Sequence, residues 1–227
     1  MNAVVFYSNT GQSESVANRL AGELGYPCMD IEKIDPTCYE NLILVFPVHC
    51  QNIPAPVKDF LKAVKIEYLS VIATYGNMCH GNVLYEIQRK YHKNVIAGAY
   101  VPTKHAYVEN DVAFCDFERL TPIVRKIQNP SVITLPKLLK NPLADLFPKL
   151  RSRLGLKIRK NERCNGCDLC GVHCSFKAIR SGTTNHRCIR CLRCVRVCPR
   201  KALEVRLGFS LRLYLRKKKA NEIIVYV

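Results

Sequence analysis

The chain has no tryptophan and only three methionines among its 227 residues. Long apolar runs are missing too. The strongest stretches, NLILVFPV and SVIATY, are strand-sized, whereas a bilayer crossing takes ~20 apolar residues, so no membrane span is expected. The opening MNAVVFYSNTGQS lacks the basic stretch and apolar run of a secretory signal, which points to a cytoplasmic location. Without export, a disulfide scaffold is a poor use for thirteen cysteines, and metal binding is the better one. Acidic residues are scarce in one region only. Residues 151–227 hold 4 Asp+Glu against 20 Lys+Arg, while residues 1–150 hold 14 against 15. The net charge of +17 therefore belongs to the C-terminal third, which marks two units with different jobs and gives the second a field for acidic partners.

What is present first is alternation. NAVVFYS reads as a buried strand and SESVANRLAGEL as a helix with Val16, Ala17, Leu20, Ala21 and Leu24 on one side. The weak strand YPCMDI follows. NLILVFPV leads to the helix APVKDFLKAVK, SVIATY to NVLYEIQRKY, and NVIAGAYVP to DVAFCDFERLTPIVRKIQ, with a bend expected at Pro122. Strands and helices in this order predict an α/β domain over 1–128 with a doubly wound, five-stranded parallel sheet. Residues 129–157, punctuated by proline and increasingly basic, read as a linker with one or two short helices.

Eight cysteines crowd between Cys164 and Cys198 as an internal repeat, CNGCDLCGVHCSFKAI and CIRCLRCVRVCPRKAL, the copies 24 residues apart. Each reads C-x2-C-x2-C-x3-C. Three thiolates from one tight turn can grip three irons of a cube, and the fourth points to the other cube. The cross-over predicts Cys164, Cys167, Cys170 and Cys198 for one 4Fe-4S cluster, and Cys188, Cys191, Cys194 and Cys174 for the other. Zinc sites also use C-x2-C, but as two separated pairs per metal. Over residues 158–205 the chain resembles the bacterial two-cluster ferredoxins, which implies a small α+β fold for a second domain at 158–227. Unlike those acidic relatives, it interleaves Arg190, Arg193, Arg196, Arg200 and Lys201 with its ligands. Positive surroundings favour the reduced cluster, so higher potentials are expected.

After the first strand come Ser8, Asn9, Thr10, Gly11, Gln12 and Ser13, opening a helix whose free N–H groups suit a phosphate. The second strong strand runs into Pro47, Val48, His49, Cys50 and Gln51, and the third into Tyr75, Gly76, Asn77, Met78 and, further on, Gly81. Loops that follow parallel strands gather at one carboxyl edge. Phosphate loop, proline-led loop and T-Y-G-x4-G loop resemble the flavodoxins over 1–128. That resemblance implies strand order 2-1-3-4-5 and an FMN whose phosphate is held by residues 8–13. Loops 47–52 and 75–81 would flank the ring, Tyr75 would cover it before His49, and Tyr107 in PTKHAY would complete the site. A domain of this fold without flavin is the alternative. His49 and His80 taken singly are polar loop residues, Cys50 and Cys79 bystanders, and Cys28, Cys38 and Cys115 small buried hydrophobes.

A flavodoxin-like domain followed by a two-cluster ferredoxin-like one resembles the flavodoxin–ferredoxin fusion proteins, common among anaerobes. The resemblance implies an electron carrier relaying between clusters and FMN, with no catalytic residue of its own. It would exchange electrons with acidic redox proteins such as a ferredoxin or an oxidoreductase. No further fingerprint for NAD(P)H is present, so a protein donor is expected. A second reading is a flavin-dependent reductase of a small substrate, fed through the clusters. Arg212, Arg216 and the run Lys217-Lys218-Lys219 raise nucleic acid or an anionic membrane as a third. No recognition motif accompanies them, and a nucleic-acid partner is not expected.

Overall fold

The runs AVVF and LILVF carry no polar alternation, as strands covered on both faces require, and both lie inside one sheet. The computed structural model describes residues 1–35, 37–108, 116–146, 153–216 and 222–227. They fall into two units, Met1–Pro142 with Lys219–Val227, and Leu143–Lys218.

In the first unit the strands are β1 (Ala3–Phe6), β2 (Cys28–Asp30), β3 (Cys38–Pro47), β4 (Lys65–Tyr75) and β5 (Val95–Pro102). The helices between and after them are α1 (Gln12–Leu24), α2 (Ala55–Ala63), α3 (Val83–Tyr91) and α4 (Thr121–Gln128). The second unit supplies β6 (Leu156–Lys160), β7 (Ile179–Arg180), β8 (Thr183–Thr184) and β9 (Leu203–Leu207), and β10 (Ile224–Tyr226) returns the chain to the first. The main sheet runs β10-β5-β4-β3-β1-β2. Strands β1 to β5 are parallel, so the sheet is mostly parallel, and the expected run 2-1-3-4-5 is extended at its β5 edge by β10, which is antiparallel and was not foreseen.

Period two splits each strand between two cores. Ala3, Val5 and Tyr7, with Leu42, Leu44 and Phe46, face α2 and α3 through Val57, Phe60, Leu61, Leu84 and Ile87. Val4 and Phe6, with Ile43 and Val45, face α1 and α4 through Val16, Ala17, Leu20, Ile123 and Ile127. Apolar helix spacing of 3.6 thus meets apolar strand spacing of 2 on both faces.

Four local expectations change. Strands β3 and β4 start earlier than their apolar runs because Cys38–Tyr39 and Lys65–Ile66 pair with each other. Pro122 does not bend a helix: it stands in the first turn of α4, where a missing N–H costs nothing, after a 3-10 turn at Phe117–Leu120. Part of the stretch expected as a linker, residues 129–157, is packed. Ile133, Leu135 and Leu138 pack on the first unit, Leu135 at 1% exposure. Gln88 fixes them by donating to the Ile133 carbonyl (2.6 Å) and accepting from the Leu135 amide (3.0 Å). The end of that segment becomes β6, paired with β9. Finally Cys38 is exposed and Cys28 half-buried, because both sit on strand ends, not in the core. Cys115 lies outside the described residues. Among the described residues no helix is long and apolar enough to cross a membrane.

Candidate functional site

The 24-residue repeat reappears as a repeat of conformation. Left-handed backbone recurs at Gly166 and Arg190 (φ 74° and 62°), at Asp168 and Leu192 (57° and 65°), and at Lys177 and Lys201 (both 47°). For a residue with a Cβ this region costs ~1 kcal/mol or more; paying it at matched positions in both copies shows that the turn itself is required. Short helices follow at Leu169–Val172 and Arg193–Val197, burying Cys170 and Cys194. The Cys174 and Cys198 sulfurs each accept from an amide four residues on, Ala178 and Ala202, both at 3.3 Å.

The turns close around two hollows. Cys164, Cys167, Cys170 and Cys198 line one; Cys174, Cys188, Cys191 and Cys194 line the other. Each encloses about 360 Å³, the space open to solvent included. The fourth cysteine of each copy therefore stands with the first three of the other. The thiols ring a hollow instead of converging: among the described residues no three His, Cys, Asp or Glu come close enough to bind a single ion. A cube with iron at four corners takes its thiolates from outside in this way. Burial pushes the Cys191 thiol up to about 11 and the Cys194 thiol up to about 12; repulsion from neighbouring thiolates, Cys174 and Cys188 among them, adds to both. Grouped buried thiolates call for a cationic centre to compensate them, so the donor set fits an iron–sulfur cluster.

Asn161 and Asn185, absent from the sequence-derived site, shape the approach to each ring. Their side-chain oxygens accept from the Arg163 and Arg187 amides (3.1 and 2.9 Å), and their carbonyls from Cys164 and Cys188 (3.1 and 3.2 Å). The signal was present: the repeat begins three residues earlier than the cysteines, as N-x-R-C in both copies.

At the carboxyl edge of the main sheet the expected loops do meet. The Asn9 amide donates to His49 Nε2 (2.8 Å) and its oxygen accepts from the Tyr7 hydroxyl (3.1 Å), which fixes His49 with its proton on Nδ1. Burial lowers the His49 ring to about 4. The Ser13 and Thr74 hydroxyls bond at 2.8 Å. A Cβ on Gly81, at φ +68°, would stand 2.6 Å from the Gln51 Cβ, and one on Gly76 2.7 Å from the His105 ring. Only glycine lets these loops touch. Cys50, Gln51 and Asn77 hold left-handed backbone, and Cys50 and Cys79 are exposed. Pro47, Val48, Met78 and Tyr107 are half-buried, Tyr107 lying edge-on to His105 at 5.0 Å.

For an anion, the fit lies in the backbone. Gly11 at φ 81° turns the chain into α1, and the Ser8 hydroxyl accepts from the Gly11 amide (3.0 Å). The first-turn N–H groups of any helix lack intrahelical partners. The side chains of Asn9 and Ser13, however, are buried and committed to His49, Tyr7 and Thr74, so they do not fit the phosphate-holding role expected of them. Tyr75 does not fit as a ring cover either: it is 2% exposed and its hydroxyl donates to the Glu222 carbonyl at 2.6 Å. Its ring meets His80 edge-on, and His80 stacks on Tyr100 at 3.9 Å.

Residues 185–204, which enclose the second cysteine copy, match the family model of the 4Fe-4S binding domain. The match supports electron transfer through a 4Fe-4S cofactor. No curated protein matches the chain. Among solved structures, the Trp repressor binding protein from Bacillus subtilis aligns at 14% identity and a TM-score of 0.35, covering 59% of this chain and 100% of that one. A likeness of that size decides nothing about function.

Proposed function

We propose that this chain is an electron-transfer protein with two 4Fe-4S clusters in its second unit and an FMN at the carboxyl edge of a flavodoxin-like first unit. The observation that carries the reading is the pairing of thiols, three from one copy and one from the other, around each of two equal hollows. Cys164, Cys167, Cys170 and Cys198 hold one cluster; Cys188, Cys191, Cys194 and Cys174 the other. The family match on the second copy supports it.

For FMN, the support is the gathering of four loops where ligands of doubly wound sheets bind. The amides of Gln12 and Ser13 with Ser8, Thr10 and Gly11 would hold the phosphate. Gln51 and loop 76–78 would border the ring, and Tyr107 would cover it in place of Tyr75. When bound, the clusters move single electrons and the flavin one or two; the chain's part is to hold them, shield them and set their potentials. Acidic redox proteins such as a ferredoxin or an oxidoreductase fit the basic second unit as partners.

Anaerobically purified protein tests this directly. About eight irons, eight inorganic sulfides and one flavin per chain are expected. Four irons would leave a single cluster, zinc in their place would overturn the cluster reading, and iron without flavin would remove FMN alone.

A further inference from the structure

The two cluster hollows form an internal comparison: same spacing, same turns, same amide bonds to sulfur, same volume. Their charges are not the same. The first ligand loop, Cys164 to Cys170, contains Gly166, Asp168 and Leu169; at the matching positions the second contains Arg190, Leu192 and Arg193. Asp168 lines the first hollow and holds the Ser181 amide at 2.7 Å. Arg193 lines the second, half-buried, with its guanidinium on the Ser175 hydroxyl at 2.9 Å. Arg190 is buried in the second loop and reaches the Leu156 carbonyl (3.1 Å) and Thr184 hydroxyl (2.9 Å). One cation lines the first hollow, Arg200, but it is exposed, where water and salt screen it.

Resting on the two-cluster reading above, we propose that the two sites differ in electron affinity, the site of Cys174, Cys188, Cys191 and Cys194 being the higher-potential one. Taking up one electron from an external one-electron donor makes a cluster one charge more negative. A half-buried guanidinium stabilises that extra charge and a carboxylate opposes it. Burial acts the other way: Cys191 is half-buried where its counterpart Cys167 is exposed, and Cys188 is buried where Cys164 is half-buried, and poorer solvation disfavours the more negative state. The difference in burial is partial, whereas the loops differ by three formal charges, and low-dielectric surroundings magnify charge. Charge wins. An electron entering this unit then settles at the second site, and the first is the lower-potential relay.

The test is a potentiometric titration of the full, cluster-loaded chain followed by electron paramagnetic resonance. Two waves are expected. Mutual repulsion splits even identical centres, so the variants decide. Arg193→Gln should move the upper wave down and leave the lower nearly in place, Arg193→Lys should restore it, and Asp168→Asn should move the lower wave up. Iron and sulfide content, measured on each variant, shows that both clusters are still loaded. Absent clusters in the parent chain would defeat the two-cluster reading itself. With clusters present, the proposal is overturned if Arg193→Gln moves the lower wave, if Asp168→Asn and Arg193→Gln act on the same wave, or if neither moves any. Should Arg193→Gln fail to load, the Asp168→Asn shift alone decides.

Discussion

Single side chains tie the two ends of this structure to chemistry in different ways. Cys198 belongs by sequence to the second copy but by position to the first hollow. If each hollow holds one cluster as proposed, Cys198→Ala should therefore cost about half of the iron and the signals of the cluster at Cys164, Cys167 and Cys170. Loss of the other cluster instead would refute the crossed pairing. His49 works through its lone pair, which accepts from Asn9 and joins the first loop to the second. An unfolded chain protonates this ring below its ordinary value of 6.5, the folded chain only below about 4. Its contribution is thus complete above pH 6.5, declines as pH falls from 6.5 to about 4, and is flat below. At pH 5 the loss is at most about 2 kcal/mol, less what solvent screening removes. Urea unfolding of the first unit at pH 7 and pH 5 should show this slope, and His49→Gln should flatten it.

At the scale of elements, the short strand β10 extends the main sheet at the β5 edge. Three residues pair with Gly98, Ala99 and Tyr100 of β5, Glu222 receives the Tyr75 hydroxyl, and Ile223 is buried against the α1 and α4 face. A strand of three residues has little stability of its own; it exists because β5 offers an unpaired edge. Deleting residues 222–227 should destabilise the first unit by roughly 2–4 kcal/mol, from one buried isoleucine, a hydroxyl bond and the ladder bonds. Tyrosine fluorescence during urea unfolding would report it, while the absorbance of the proposed clusters should stay. Equal stability of both forms would make β10 an ornament.

Over the whole molecule the charge is uneven, and on the proposed function it would steer encounters with acidic partners. With net +16 on residues 151–227, electron exchange with an acidic partner should slow at least tenfold between 0.02 and 0.5 M salt, as screening shortens from tens of ångströms to a few. Stopped-flow rates against salt check this. Reversing Lys217, Lys218 and Lys219, which lie outside the described residues, should produce a similar slowing at low salt. An unchanged rate would remove that run from the docking face.

Sequence by itself determined whatever rests on local spacing. Eight cysteines at fixed intervals announced two thiol sets, LILVF announced a strand covered on both sides, and the 24-residue offset announced a symmetric pair of turns, because those features depend on neighbours within a few positions. Tertiary structure alone decided the rest. Tyr75 ends a strand next to a glycine loop and reads as a cover for a flavin ring, yet it is buried, with its hydroxyl on the carbonyl of Glu222, far along the chain. Residues 133–138 look like linker until Gln88 and the α3 face give their apolar side chains somewhere to be buried. Asn9 reads as an anion ligand until His49 and Tyr7 claim its amide. Burial and hydrogen bonding are satisfied by whichever residues the fold brings near, and spacing along the chain carries no record of them.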